Sequence, residues 1–275
     1  MTASPRRRVL PGLSLSLGYT VFYLSVLVLL PAAACVIKAG SLSAGEFWEA
    51  VWSERARAAY LLTFGASFAA ALIDLFLGLL IAWVLVRYEF PGRGLIDSLI
   101  DLPLALPTAV GGLVYANLYS KTGWLGQYLT PWGIEAAYTR SAIVLVLTFI
   151  GLPFAVRTVQ PVLQDIEPEA EEAAASLGAS RWQSFRRVIL PSLYPALVTG
   201  FALSFARGLG EYGSVVFVSG NRQYETEIAP VLIVSRLEEF RYGEAAAIAV
   251  VLLTVSFCML AIINLLDRWS RRHAG

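Results

Sequence analysis

The feature that most constrains this chain is a series of apolar runs, each about 20 residues long. One run extends from about Leu17 to Ile37, and another from about Tyr60 to Val86. As a helix, a run of this length crosses the hydrocarbon core of a bilayer with every backbone polar group paired internally. A composition that is 57% hydrophobic and 15% charged leaves too little polar surface for a soluble domain. The sequence therefore predicts an all-α membrane protein.

Four further runs bring the predicted number of transmembrane helices to six. They extend from about Leu102 to Tyr119, Ser141 to Val156, Leu193 to Val218 and Ala245 to Leu266. The first of these four is interrupted by Pro103, by Pro107 and by the pair Gly111-Gly112. The N-terminal run follows a basic cluster, as the apolar part of a signal peptide does, but it is too long for one and lacks an evident cleavage sequence. We expect it to be retained as a span.

The lysines and arginines between the spans predict the orientation. With the N-terminus inside, the inside segments hold more of these residues than the outside segments, as the positive-inside rule requires. Both termini are then cytoplasmic, and each carries a basic cluster. We expect an N-terminal part with the first span and an external segment (1–58), a transmembrane core (59–267) with a cytoplasmic loop at about 160–191, and a basic tail (268–275).

Two of the outside segments have amphipathic sequences, Ser43 to Arg57 and Thr226 to Phe240. One side of the first consists of Phe47, Trp48, Val51 and Trp52. Tryptophan is typical of a membrane interface, so we expect this segment to be an interfacial helix. The second segment is compatible with partial re-entry into the membrane, with a ledge for a soluble partner, or with a surface helix packed on the bundle.

The residue types exclude several classes of function. The only histidine, His273, lies in the basic tail, and the two cysteines, Cys35 and Cys258, lie far apart inside apolar runs. A zinc site, a Ser-His-Asp triad and a structural disulfide are therefore not expected. No G-x-x-x-x-G-K-[ST] motif occurs, so the chain should not hydrolyse ATP by itself. We expect no catalytic residue, no metal site and no cofactor bound by this chain.

A charged insert of about 35 residues separates the fourth and fifth predicted spans, which is long for such a loop. Pro168 suits the first turn of a helix, and Glu169, Glu171 and Glu172 follow where the helix dipole favours negative charge. Alanines continue the helix, and Gly178 is placed to end it in a left-handed conformation.

A second short helix is predicted after that glycine. Ser180 and Gln183 have the spacing of a capping box, and Pro191 is expected to close the helix just before the fifth span. Its apolar stripe consists of Trp182, Phe185 and Ile189, and its polar side of Arg181, Arg186 and Arg187. The insert is thus a helix, a glycine turn and a helix. Physics alone leaves two interpretations open, a docking element for a partner and a solvated loop.

The same insert resembles the signature of the bacterial ABC-importer permeases, the binding-protein-dependent inner-membrane components. The matching residues are Glu172, Ala173, Ala174, Gly178, Leu190 and Pro191, with Val188 at a position where the signature has isoleucine. In that family the loop is the coupling helix, which sits in a cleft of a separate ATPase subunit. The resemblance implies that Glu172, Ala173, Ala174, Gly178, Trp182, Leu190 and Pro191 couple this chain to such an ATPase.

The resemblance covers nearly the whole chain. The segments RRRVLPGLSLSLGYT, VRYEFPGRGLIDSLIDLPLALPTAVGGL, RTVQPVL, FARGLGEYGSVVFVSGN and RLEEF are similar to sulfate/thiosulfate permeases of the CysT type. The middle and C-terminal segments are also similar to molybdate and tungstate permeases, which typically lack the extra N-terminal span. The resemblance implies a type I ABC-importer permease fold and a sulfate/thiosulfate importer, with another oxyanion as the alternative.

The resemblance also implies a set of partners in the bacterial inner membrane. These are two copies of an ABC ATPase that binds ATP and Mg, a second homologous permease, and a periplasmic or lipid-anchored sulfate-binding protein. The net charge of +1 gives no sign of nucleic-acid binding.

Candidate residues of the translocation path or gate follow from polar groups within predicted spans. The charged candidates are Asp74, Arg207 and Glu211, and the neutral hydrogen-bonding candidates are Thr108, Ser204, Tyr212 and Ser214. Charges inside a membrane are costly and often functional. The four-residue spacing places Arg207 and Glu211 on one helix face, where they are able to pair. The pair is compatible either with contact to a dianion or with a structural or gating role, and small residues in these spans are equally compatible with close helix packing.

A function of another class is a stand-alone secondary transporter or a membrane-embedded enzyme. A secondary transporter commonly shows inverted repeats, and no clear internal repeat is present. An enzyme needs a cluster of catalytic groups, and the sequence supplies none.

Overall fold

The computed structural model describes residues 13–273, and the side chains of these residues except Ser14 and 266–273. The predicted basic cluster at Arg6, Arg7 and Arg8 lies outside the described residues. Of the predicted tail 268–275, residues 268–273 continue the last helix, and the remainder lies outside the described residues. The described residues are helical, with turns and loops between the helices and no strand. The all-α prediction is confirmed.

Five helices in the described part are long and apolar enough to cross a membrane: Leu15–Ala39, Glu54–Arg87, Arg140–Gln164, Arg181–Leu209 and Tyr242–Leu265. The first comprises α1 (Leu13–Leu24), a π-helical segment (Ser25–Leu29) and α2 (Leu30–Ala39). The second, third and fifth are α4 (Glu54–Arg87), α9 (Arg140–Gln164) and α15 (Tyr242–His273). The fourth comprises α11 (Arg181–Ser184), a π-helical segment (Phe185–Ile189) and α12 (Leu190–Leu209).

Shorter helices connect these five. They are α3 (Ala44–Trp52), α5 (Arg93–Ile100), α6 (Leu102–Ala105), α7 (Thr108–Tyr119), α8 (Gly126–Leu129) with a 3-10 turn (Thr130–Trp132), α10 (Pro168–Ser176), α13 (Val215–Val218) and α14 (Ala229–Glu238).

The predicted third span is not one helix. It consists of α6 and α7, separated at Leu106 and Pro107. Leu106 is extended, with φ −82° and ψ 137°, because the ring of a following proline disfavours the helical conformation. The sixth span is therefore not confirmed as a single helix of membrane-spanning length.

The helices α4, α9 and α12 form the centre of the bundle, and small residues let them approach closely. A Cβ atom at Gly78 of α4 would lie 2.6 Å from the Cβ atom of Ala155 of α9. A Cβ atom at Gly200 of α12 would lie 2.5 Å from the hydroxyl of Thr158. Alanine at Gly78 would press on the Ala155 methyl group and backbone, and alanine at Gly200 would displace the Thr158 hydroxyl, so both glycines allow the close approach of the helices.

The external segments pack on this bundle. Ser43 caps α3 in a capping box with Glu46. In α3, Val51 is buried against the cluster formed with α2 and α15, whereas Trp48 and Trp52 are exposed and stack on each other at 5.6 Å. The four apolar residues predicted on one side thus divide between the bundle and the surface, because an interfacial helix packed on a bundle has two apolar environments.

The second external segment contains α14, which packs against α15 and α4. The backbone N–H of Ala229 donates to the hydroxyl of Thr63 at 2.8 Å, and Leu232 is buried. Glu227, just before α14, accepts two hydrogen bonds from Arg55 at 2.7 Å. Of the three interpretations, a surface helix packed on the bundle agrees with these contacts.

The predicted fifth span, drawn to Val218, ends earlier. The helix ends at Leu209, the chain turns through Gly210–Ser214, and the separate short helix α13 follows. Glu211, Tyr212 and Ser214 therefore lie beyond the helix. The apolar composition of α13 made the apolar run appear longer than the helix, but Val215 and Val218 of α13 are buried against α7 and α9.

Candidate functional site

The insert between α9 and α12 is a helix, a tight turn and a helix. After α10, the N–H of Gly178 donates to the carbonyl of Ala175 at 2.9 Å, and that of Ala179 to the carbonyl of Ala174 at 3.0 Å. This pair of hydrogen bonds is a Schellman motif, and it requires the positive φ of 81° seen at Gly178. Glycine adopts that conformation without steric cost, so the predicted role of Gly178 as the end of the helix is confirmed.

The second helix begins at the predicted cap. The N–H of Gln183 donates to the Ser180 hydroxyl at 3.3 Å, and the N–H of Ser180 donates to the Gln183 side chain at 2.8 Å. The prediction that Pro191 closes this helix is wrong, because the helix continues to Leu209. The π-helical segment Phe185–Ile189 directly precedes the proline, and its wider turn displaces the carbonyl that the ring would otherwise meet.

The outer end of the insert exposes apolar side chains. Leu177 is 89% exposed and Trp182 is 67% exposed, on either side of the glycine turn. Glu172 and Ala173 are also exposed, whereas Ala174 and Leu190 are half-buried. A large apolar side chain that protrudes from a charged helical hairpin has the properties of a contact for another protein.

The inner side of the insert is anchored to α4 by contacts that the sequence did not predict. Glu171 forms an ion pair with Arg87, the last residue of α4. The ring of Trp83, one turn earlier, makes an edge-to-face contact with the ring of Phe185, with 5.5 Å between the ring centres. The guanidinium carbon of Arg87 lies 5.3 Å from the centre of the Trp83 ring. On the α4 side, the sequence signal for these contacts was the aromatic and charged character of RYEFPGR and its flanks.

A second ionic cluster lies near the same end of the bundle. Arg157 of α9 donates to Asp97 at 2.6 Å and, through two nitrogens, to Asp101 at 2.7 and 3.0 Å. These bonds hold α5 and the start of α6 against α9. The hydrogen bond from Arg157 lowers the pKa of Asp97 below its ordinary value.

The candidate path residues do not form one site. Arg207 and Glu211 do pair, at 2.5 Å between Nη1 and Oε2, but Glu211 lies in the turn after the helix. Glu211 is 2% exposed, and its other oxygen accepts from the N–H and the hydroxyl of Ser214 at 2.9 and 3.0 Å. The Arg207 side chain is 32% exposed. The carboxylate is thus fixed from within, and the guanidinium extends from it toward the surface.

Two further candidates contact this turn or lie near its exposed side. A Cβ atom at Gly213 would meet the Thr108 hydroxyl at the start of α7, so α7 packs closely against the turn. Tyr212 is exposed. Hydrogen-bond donors thus surround the turn Gly210–Ser214, from the side chains of Thr108, Arg207 and Tyr212.

Asp74 and Ser204 lie elsewhere, in the centre of the bundle. Asp74 is 1% exposed, and neither of its carboxyl oxygens has a hydrogen-bond partner among the described residues. The Ser204 hydroxyl donates to the carbonyl of Gly151 at 2.8 Å. A Cβ atom at Gly151 would overlap the Asp74 carboxyl group. These residues belong to the contact of α4, α9 and α12, not to the turn around Arg207.

The comparison with protein families gives a match over residues 74–272, to the binding-protein-dependent transport system inner membrane component. The chain belongs to this family. The matched region begins at Asp74 and includes the insert, the turn around Glu211 and the described part of α15. The predicted resemblance to ABC-importer permeases is confirmed.

Individual relatives align along the whole chain. The sulfate transport system permease protein CysT of Escherichia coli K12 is 48% identical over 276 residues, which cover 100% of both chains. The protein of the same name from Synechococcus elongatus is 50% identical over 266 residues, 97% of this chain and 96% of its own.

Solved structures share the fold at lower identity. A chain of the bacterial alginate ABC transporter in complex with an alginate pentasaccharide-bound periplasmic protein superposes with a TM-score of 0.77, at 20% identity. It covers 96% of this chain and 95% of the solved one. A second alginate ABC transporter structure gives a TM-score of 0.76 at 18% identity, covering 93% and 94%. The fold is therefore that of an ABC-importer permease.

Proposed function

We propose that this chain is the membrane permease subunit of an ATP-driven importer of sulfate or thiosulfate. The observation that carries the proposal is the identity of 48% over 100% of both chains with a protein named as a sulfate transport permease. The identity extends across the first span and the external segments as well as the family core. This extent favours sulfate over molybdate or tungstate, for which the N-terminal segment is not expected.

The insert is the proposed docking element for a separate ATPase. Its turn is fixed by Gly178, and its exposed Leu177, Trp182 and Glu172 lie where an incoming surface would meet them. The chain has no P-loop, so ATP and Mg bind to the ATPase, in two copies, and this chain is not itself an enzyme. A second permease and a periplasmic or lipid-anchored sulfate-binding protein complete the proposed complex.

The proposed orientation in the bacterial inner membrane follows from this role. The ATPase is cytoplasmic, so the insert, the end of α4 and both termini lie inside. The turn around Glu211 and the helices α3 and α14 then lie on the outer side, where the binding protein delivers the anion.

We assign to Arg207 a contact with the passing dianion, and to Glu211 the role of its fixed counter-charge. The uncovered face of α12 carries Arg207 and Leu203, whereas Phe205 and Gly208 on other faces pack into the bundle. A charge on a face that points to hydrocarbon is costly, so this face is assigned to the path shared with the second permease. Partial neutralisation by Glu211 keeps the contact weak enough for release.

Uptake of labelled sulfate into a bacterial strain that lacks its own sulfate permease tests the proposed function. The chain is expressed together with the proposed ATPase, second permease and binding protein, and the control omits only this chain. Sulfate and thiosulfate should compete for uptake, and molybdate should not. Uptake of labelled molybdate that requires this chain, without uptake of labelled sulfate, would assign the chain to the other oxyanion.

The same assay separates the two roles of the Arg207–Glu211 pair. If Arg207 contacts the anion, Arg207→Gln should raise the KM for sulfate strongly, while Glu211→Gln, which leaves the arginine in place, should not raise it. Equal loss of uptake and of protein in both variants would instead indicate a structural pair.

A further inference from the structure

The insert is tied to the membrane bundle at a place remote from it in the sequence. The backbone of α10 packs chiefly against α11 and the π-helical segment, which are parts of the insert itself. Its ion pair from Glu171 to Arg87 joins residues 84 positions apart. This ion pair connects α10, the first helix of the insert, to the end of α4.

The second helix of the insert, α11 with the π-helical segment, also contacts this end of α4. Phe185 contacts the Trp83 ring edge-on at 5.5 Å, with 81° between the ring planes, and stacks on Trp182 at 5.5 Å. Edge-to-face and stacked aromatic pairs at these separations are favourable contacts. The exposed Trp182 is thereby connected through Phe185 to α4.

The contacts of α10 and of the π-helical segment with α4 are joined to each other through Arg87 and Trp83. The Arg87 guanidinium lies over the Trp83 ring, 5.3 Å from its centre, which is within the range of a cation–π interaction. The side chains of Arg87 and Glu171 are 25% and 30% exposed. An isolated pair at a fully exposed surface contributes little, but this pair is partly desolvated and part of a connected set.

We propose that Arg87, Trp83, Glu171 and Phe185 form a clamp that transmits displacement of the insert to α4 as well as to α12. The covalent chain already connects the insert to α12, because the helix runs from Arg181 to Leu209 without interruption. The insert has no such direct connection to α4, because α5 to α9 lie between them in the chain. With the clamp, both helices move when the ATPase displaces the insert, and α4 contacts α9 and α12 along the bundle centre. The four residues are positioning residues, and the inference rests on the proposed function.

The test uses the reconstituted complex of this chain with its ATPase, second permease and binding protein. The variants are Arg87→Gln, Glu171→Gln and the double charge exchange Arg87→Glu with Glu171→Arg. The matched control is Glu169→Gln, which removes a glutamate from the same helix that is exposed and has no ion pair in the described part of the chain. Sulfate uptake, ATP hydrolysis and recovery of the ATPase with the permease are measured on each preparation.

The clamp predicts that each single variant retains the ATPase and its hydrolysis, while sulfate imported per ATP falls by about 2- to 30-fold, the range of mutational effects on coupling. The charge exchange should restore the ratio, and the control should keep it. Unchanged ratios in the single variants overturn the clamp, as does a loss of assembly that the charge exchange does not restore. A wild-type complex that imports no sulfate refutes the proposed function, and the clamp with it.

Discussion

Replacement of Gly178 by alanine tests the docking role of the insert with little disturbance of the rest of the chain. The φ of Gly178 is +81°, and nothing lies within 4 Å of the position of an added Cβ atom. The methyl group therefore meets no other part of this chain. Holding an L-residue in the left-handed region costs about 1–2 kcal/mol. That corresponds to a roughly 5- to 30-fold lower population of the turn relative to alternative conformations.

Gly92 provides a matched control for this substitution. Its φ is +87°, an added Cβ atom also meets nothing within 4 Å, and it is exposed in the loop between α4 and α5. Both alanine variants should lower the free energy of unfolding by a similar amount, about 1–2 kcal/mol. Only Gly178→Ala should lower the sulfate imported per ATP, because only its methyl group lies at the proposed ATPase contact. Gly178→Asn should be milder, since asparagine tolerates this conformation.

The assay compares thermal unfolding in detergent with uptake and ATP hydrolysis in proteoliposomes. An equal loss of coupling in Gly92→Ala would show that backbone strain, not docking, is responsible. Unchanged coupling in Gly178→Ala, with the expected loss of stability, would refute the assignment of the turn to the ATPase contact.

Three further predictions concern the bundle and are read by thermal unfolding in detergent. Thr63→Ala should destabilise the fold by about 1–3 kcal/mol, because it leaves the buried N–H at the start of α14 unpaired, and Thr63→Ser should restore most of this. Gly151→Ala should cost about 1–3 kcal/mol because its methyl group overlaps the Asp74 carboxyl group, whereas Gly65→Ala, with open space around it, should not destabilise. The lowered pKa of Asp97 means that its ion pair stabilises the fold above the unfolded pKa of about 3.9 and is lost as the pH falls through the folded pKa. Asp97→Asn should therefore lower the midpoint temperature of unfolding at pH 7. The difference in midpoint between the variant and the wild type should vanish in strong acid. A difference that is independent of pH would contradict the pairing of Asp97 with Arg157.

Local sequence signals predicted the insert well because its structure is determined locally. Proline, glutamates, glycine and a capping box lie within a short segment, and each specifies one feature of a helix end. Hydropathy likewise located the long helices, since the bilayer imposes their length and composition.

The predictions failed where tertiary contacts determine the helix ends and the ion-pair partners. Hydropathy did not distinguish α13, in which Val215 and Val218 are buried in protein, from a continuation of α12. Pro191 has the sequence context of a helix end, but the π-helical turn before it is not encoded by a recognisable motif. Arg87 and Glu171 are far apart in sequence, so nothing local indicated that Glu171, and not the motif residue Glu172, forms the ion pair with α4.

Reconstitution of the complete complex tests whether this chain is the permease subunit of an ATP-driven sulfate importer. Proteoliposomes contain this chain with its ATPase and second permease, ATP on the ATPase side, and the binding protein with labelled sulfate on the other side. Sulfate should accumulate only when ATP is present, and accumulation should be absent when only this chain is omitted. Accumulation that this chain supports alone, driven by an ion gradient and indifferent to ATP, would contradict it.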